Sequence, residues 1–252
     1  MNYQNKTVVI TGASKGIGAA CAKLFFDANA NVALLDIAED ESGINNDRWL
    51  YINCNVSSAM QVKDAIEKIN TKLGSIDFLV NNAGIQRYGS VTETSEDEWD
   101  LVMNVNLKSL FLCAKYVIPF MLQNKKGVVI NIASVQAFVS QKNVAAYTTA
   151  KTAILGLTRS IAVDYAPHVR CVAVCPGTID TPMLREAIAL SPDPDAVMQE
   201  CIDMHLTKRI GTAEEVAELV LYLCDDKAGF ITGQAIRIDG GLGITIQGSK
   251  KE

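Results

Sequence analysis

Apolar positions divide the chain into short β-branched runs and longer stretches of helical period. Residues 7–11, Thr-Val-Val-Ile-Thr, form the kind of compact run found in a parallel strand buried on both faces. Comparable runs recur at 31–37, 49–54, 76–80, 128–133, 169–175 and 235–238. Helical patterns lie between them at 19–28 and at 57–73, where Val62, Ala65, Ile66 and Ile69 share a face. A third runs over 99–122, after a capping signal at Thr94-Ser95-Glu96-Asp97-Glu98, with an interruption expected near Pro119. A fourth carries Tyr147 and Lys151 and continues to Tyr165, and a fifth, clearly amphipathic, covers 213–224. Strands alternating with helices over the whole length predict an α/β fold, a doubly wound parallel sheet flanked by helices in a single domain spanning 1–252. Residues 38–48 and 135–145 read as loops, and 179–210, with three prolines, as a helical flap over the site.

Composition narrows the possibilities. With 49% of residues apolar and 20% charged, the chain is neither disordered nor a polyelectrolyte. A net charge of −5, with no basic cluster beyond Lys250-Lys251, gives no footprint for nucleic acid. The N-terminal residues lack a signal-peptide layout and no apolar run reaches the ~18 residues of a membrane span, so a cytoplasmic protein without a membrane partner is expected. The seven cysteines are scattered without a Cys-x-x-Cys, and His168 and His205 are far apart in sequence, so neither a metal site nor a His-dependent triad is expected.

Candidate chemistry begins where the first run opens into Gly12-Ala13-Ser14-Lys15-Gly16-Ile17-Gly18. Glycines at a strand-to-helix turn permit a tight bend and close approach of backbone to a pyrophosphate, which the helix N-terminus then stabilises. The spacing is Gly-x-x-x-Gly-x-Gly, not the commoner GxGxxG. Asp36 ends the second run, where a carboxylate accepts hydrogen bonds from ribose hydroxyls and repels a 2′-phosphate, which predicts NAD over NADP. Asn82, Ala83 and Gly84 follow the fourth run, at the carboxyl edge where such a sheet places its ligand.

Tyr147 and Lys151 stand four apart, on one face of their helix. A cation ~4 Å from a phenol at an effective dielectric of ~20 contributes roughly 4 kcal/mol, about three pKa units, enough to bring the phenol into working range. Taken alone, the pair reads more readily as a packed aromatic and a solvated lysine, because Tyr-x-x-x-Lys is a common spacing.

Together, TGASKGIG, Asn81-Asn82-Ala83-Gly84, Ser134, Tyr147-x-x-x-Lys151 and Pro176-Gly177 resemble the short-chain dehydrogenase/reductase family in order and spacing, over essentially the whole chain. The resemblance implies a Rossmann-type dinucleotide fold, a small-molecule substrate and a homotetramer. It implies Tyr147 as acid/base, Ser134 as the donor to the substrate oxygen, Lys151 as modulator of Tyr147 and holder of the nicotinamide ribose, and Asn106 as holder of a relay water. Gly12, Ser14, Gly16, Ile17, Gly18, Asp36, Asn82, Ala83, Gly84, Pro176, Gly177, Thr178 and Ile179 fall at cofactor positions, as do Tyr147 and Lys151. Asn55-Val56 stands where many members carry Asp-Val, so the adenine contact is expected to lack charge assistance.

Gln86, Gln136, Gln141 and Asn143 offer amide groups near Ser134 and Tyr147, which a sugar or polyol would satisfy and a steroid or acyl chain would leave unpaired at ~1–3 kcal/mol each. Ser134-Val135-Gln136-Ala137, Lys142-Asn143, Asp164-Tyr165-Ala166-Pro167, the stretch from Pro176 to Pro182 and Phe230-Ile231-Thr232-Gly233 are also similar to archaeal aldohexose dehydrogenases of the family. The expected activity is therefore NAD-dependent oxidation of an aldose to its lactone. The alternatives are a 3-oxoacyl thioester reductase or another alcohol or ketone dehydrogenase of the family, against the first of which Asp36 argues. A dinucleotide-sensing or scaffolding module would need a damaged catalytic set. The tail, 242–252, is expected either to fray or, in a tetramer, to reach a neighbouring site.

Overall fold

Seven of the apolar runs pair side by side in the computed structural model, which describes residues 1–244. β1 (Thr7–Thr11) turns into α1 (Gly16–Asp27), and β2 (Asn31–Asp36) passes to β3 (Trp49–Asn53) with no helix between. Next come α2 (Ala59–Leu73), β4 (Phe78–Asn81), α3 (Glu96–Met103), a π-helical turn (Asn104–Lys108), α4 (Ser109–Gln123) and β5 (Gly127–Ile132). The second half contains α5 (Ala145–Tyr165), β6 (Val169–Pro176), β7 (Ile179–Asp180), α6 (Pro182–Ile188), α7 (Pro194–Asp203), β8 (Gly211–Thr212), α8 (Ala213–Cys224) and β9 (Ala235–Ile238).

The large sheet runs β3-β2-β1-β4-β5-β6-β9, parallel throughout. Winding reverses between β1 and β4, so the loops leaving their carboxyl ends diverge and open a crevice there. Alternation along each strand divides the core. Val8, Ile10, Val32, Leu34 and Val80 pack on α1 and α8, whereas Val9, Ala33, Leu35, Leu79 and Val129 pack on α2 and α4.

Two features differ from the expected pattern. Pro119 does not interrupt its helix but lies inside α4. A proline in a helix costs ~3 kcal/mol, and neighbouring Val117, Ile118 and Met121 are all buried, each at ~1.5–3 kcal/mol, so burial outweighs the missing N–H. The irregularity falls instead at the π turn, which carries Asn106. The whole helix, Glu96–Gln123, has the length and mean hydropathy of a membrane span, yet half of its most apolar window is buried inside the fold. The flap region contains two helices, α6 and α7, fastened by the short β7–β8 pair, which hydrophobic patterning does not reveal because each strand has only two residues. Most of the tail, from residue 245 on, lies outside the described residues.

Candidate active site

The turn between β1 and α1 takes its shape from the backbone of its glycines. Gly12 and Gly16 have φ of +62° and +59°, the left-handed region that side chains disfavour. A Cβ on Gly18 would strike the carbonyl oxygen of Gly12 and the amide of Asn82. Lys15, at the N-cap of α1, makes no side-chain cap bond, so the first-turn N–H groups are left to face an anion. This cradle of backbone donors fits a pyrophosphate, with Thr181 of the flap close beside Gly16. Ile17 packs into the core beneath it.

Side chains then lace the neighbouring strand ends to the turn. Asn82 Nδ2 donates to the carbonyls of Thr11 and Gly12 at 3.0 and 2.8 Å, while Thr11 Oγ1 accepts from the N–H groups of Asn82 and Ala83, both at 3.0 Å. Asp36 is fixed beside the turn, its carboxylate accepting from Ser14 N–H at 2.9 Å and Ala38 N–H at 3.0 Å. Asn55 behaves differently from an adenine acceptor: its Oδ1 already takes bonds from Ser57 N–H and Ser57 Oγ–H, at 3.0 and 2.7 Å. Both lone pairs are committed to a turn, and Val56 is buried against α2.

The reaction centre forms where β4, β5, the π turn and α5 meet. Asn106 is fully buried and holds Ile85 with both ends of its amide, Oδ1 accepting from Ile85 N–H at 2.7 Å and Nδ2 donating to Ile85 O at 2.8 Å. A Cβ on Gly84 would lie 3.4 Å from Asn106 Oδ1 and 3.6 Å from Lys151 Nζ, so these groups converge under the loop after β4. Ser134 leaves β5 and caps a short 3-10 turn through Gln136 N–H.

The expected depression of the Tyr147 phenol is reversed. Burial pushes it up to about 12, a hydrogen bond to Ser134 works the other way, and the Tyr88 phenol adds to the rise. Burial also brings Lys151 down to about 8, with Cys175 opposing. The ammonium is turned to a carbonyl: Nζ donates to Ile132 O at 2.9 Å and lies 5.6 Å from the Tyr147 ring centroid. In this structure burial, not the neighbouring ammonium, dominates the phenol.

The amides of the 135–145 loop engage one another. Gln136 Nε2 donates to Gln141 Oε1 at 3.1 Å, Thr148 Oγ1 donates to Gln136 Oε1 at 3.4 Å, and Ser140 and Thr148 share a bond at 3.1 Å. Asn143 enters through its backbone, with φ +59° and its carbonyl accepting from Gly89 N–H at 2.7 Å. Gln86 is partly buried on the loop after Gly84. Across the cleft, Pro176 ends β6, Gly177 N–H donates to Ile238 O at 3.0 Å, and the buried Ile179 begins β7.

The structure thus gathers Asn106, Ser134, Tyr147 and Lys151 at one edge, and the glycine turn, Asp36 and Asn82 at the adjoining one. Sequence reasoning passed over Thr11, Thr148 and His205. Thr11 opens TGASKGIG, but the glycines define that pattern, and Thr148 stands inside the Tyr-x-x-x-Lys spacing, which its outer residues define.

Comparison with known proteins agrees with this geometry. The family model described as enoyl-(acyl carrier protein) reductase matches residues 12–243. The chain is 40% identical over 241 residues to dehydrogenase/reductase SDR family member 6 of Aquarana catesbeiana, covering 95% of this chain and 98% of that protein. It is 35% identical to the 3-oxoacyl-[acyl-carrier-protein] reductase of Thermotoga maritima, covering 97% of this chain and all of that one (100%). Among solved structures, the aldohexose dehydrogenase of Thermoplasma acidophilum superposes with a TM-score of 0.94 at 42% identity, covering 99% and 98% of the two chains.

Proposed function

The chain belongs to the short-chain dehydrogenase/reductase family, oxidoreductases that use a nicotinamide cofactor, and from that premise we propose that it is an NAD-dependent aldose 1-dehydrogenase forming a lactone. What carries the reading is the 42% identity, over 99% of the chain, to an aldohexose dehydrogenase. The polar loop is compatible with it, since Gln136, Gln141 and Thr148, bonded to one another beside Tyr147, carry donors and acceptors of the kind sugar hydroxyls pair with.

In this reading the bound dinucleotide supplies the hydride acceptor. Tyr147 takes the proton of the anomeric hydroxyl, and Ser134 donates to the same oxygen. Lys151 keeps further N–H donors beyond the one given to Ile132 O, which would hold the nicotinamide ribose. Asn106 fixes the loop after β4 through Ile85. Asp36, held by Ser14 and Ala38, retains lone pairs for the adenosine ribose and opposes a 2′-phosphate, which favours NAD. We place the enzyme in the cytoplasm, consistent with seven unpaired buried cysteines. We read it as a homotetramer, for which the exposed apolar groove of Met103, Leu107, Phe111 and Leu157 offers a contact face.

A second reading, reduction of a 3-oxoacyl thioester, is favoured by the 35% identity to the Thermotoga reductase. Initial rates of NADH formation with a panel of aldoses and polyols, set against NADH and NADPH oxidation with acetoacetyl thioesters, decide between them. Aldose turnover with NAD is expected; thioester reduction without aldose turnover would sink the proposal.

A further inference from the structure

His205 sits just past the flap helix α7, 2% exposed, with both ring nitrogens engaged. Nε2 faces the backbone N–H of Thr178 at 3.2 Å, and Nδ1 faces the carbonyl of Cys201 at 2.6 Å. An N–H needs an acceptor, so Nε2 is unprotonated and the proton resides on Nδ1, where it donates to Cys201 O. One imidazole therefore joins the C-terminal turn of α7 to the loop after β6.

Backbone bonds to the neighbouring strands and close packing on Asp239 hold the rest of the loop. A cavity of about 180 Å³ lies under it, lined by Gly177, Thr178, His205, Arg209, Glu215 and Asp239. Other backbone groups of the loop bond to backbone, Gly177 N–H to Ile238 O at 3.0 Å and Thr178 O from Gly211 N–H at 2.9 Å, whereas Thr178 N–H goes to a side chain of the flap. The fit is close: a Cβ on Gly177 would lie 2.9 Å from Nε2, and one on Gly240 3.2 Å from Cδ2.

We propose that His205 is a positioning residue that couples the flap to the cofactor: its bond to Thr178 N–H fixes the Gly177–Thr178 backbone in the conformation that receives the dinucleotide. This rests on the reading of Thr178 as a cofactor contact. The flap is thereby tied to cofactor binding through one imidazole.

Two variants isolate the bond. His205→Asn keeps a donor near Cys201 O but is too short to reach Thr178, whereas His205→Gln places an acceptor near the Nε2 position. Each retains one of the two bonds, so thermal midpoints should fall alike while NADH affinity differs. NADH titrations followed by its fluorescence are expected to show about tenfold weaker binding for H205N and recovery to within about twofold of wild type for H205Q. Equal affinities for the two variants, whether both normal or both impaired, would overturn the coupling. Thr178→Ala separates the causes. Weakened binding in T178A beside normal binding in H205N means that the loop contacts the cofactor but the histidine does not position it. Normal binding in both means that the loop reading fails, and the proposal with it.

Discussion

The two sides of the cleft are held by different means. The dinucleotide side is set by backbone, with glycines at φ of +62° and +59°, a third whose Cβ would have no room, and strand ends laced together through Thr11 and Asn82. The substrate side is set by side chains that satisfy one another, Gln136 to Gln141 and Thr148 to Gln136, on a loop largely exposed. Backbone geometry admits few sequences, so the first side identifies a cofactor class. A side-chain network can be rewired without disturbing the sheet, so the second leaves the substrate to smaller terms.

Tyr147 lies where the two sides meet, and its removal should have the largest effect. Tyr147→Phe is expected to lower kcat by about 10³-fold while NADH affinity stays within about twofold, measured by steady-state rates and fluorescence titration. Retained turnover would remove the phenol from the chemistry. In the native protein the raised phenol, near 12, makes the base form scarce at neutral pH. Oxidation should therefore quicken as pH rises, by up to about tenfold per unit below the pKa, and the reverse reaction, which needs the protonated phenol, should not.

Gly18→Ala tests whether backbone really sets the cofactor side. The added methyl meets Gly12 O and Asn82 Nδ2, and overpacking of this kind costs about 3 kcal/mol at the upper end, or ~100-fold in NADH affinity. Wild-type affinity would show that the turn yields. Asp36→Ala is the milder probe of the same side. It should relax the NAD to NADP preference by about tenfold, ~1.4 kcal/mol, by removing a carboxylate that Ser14 and Ala38 hold in place. An unchanged ratio of kcat/KM values would assign the preference elsewhere.

The same division explains what could be read from sequence. The doubly wound sheet follows from β-branched runs and helical periods, and the glycine turn from residue type, because each is a local constraint. Pro119 misled because its cost is local whereas the burial of Val117, Ile118 and Met121 that offsets it is not. The pairing of Tyr147 with Lys151 was visible as spacing, but the direction in which Nζ points depends on Ile132 O, a strand away. Asn55 looked like a substitute adenine acceptor because its type permits it; only the Ser57 contacts show its oxygen already engaged. His205 could not be found by pattern at all, since its partners are backbone groups of Thr178 and Cys201.

The smallest effect falls on the substrate side. Thr148→Val keeps the volume but removes the hydroxyl that donates to Gln136 Oε1 and bonds Ser140. A neutral hydrogen bond of this kind is worth about 1 kcal/mol net, so the aldose KM should rise by about fivefold as Gln136 loses its preferred orientation. Because Thr148 touches nothing in the glycine turn, NADH affinity should not move, and because Tyr147 keeps its bond to Ser134, kcat should stay within about twofold. Thr148 is also one residue from Tyr147 on α5, so a fall in kcat at constant KM would mean that the helix had shifted instead. Steady-state kinetics at saturating NAD separates the two. A raised KM alone would make the substrate side a network whose members act on one another before they act on the sugar, which a cradle of backbone groups does not do.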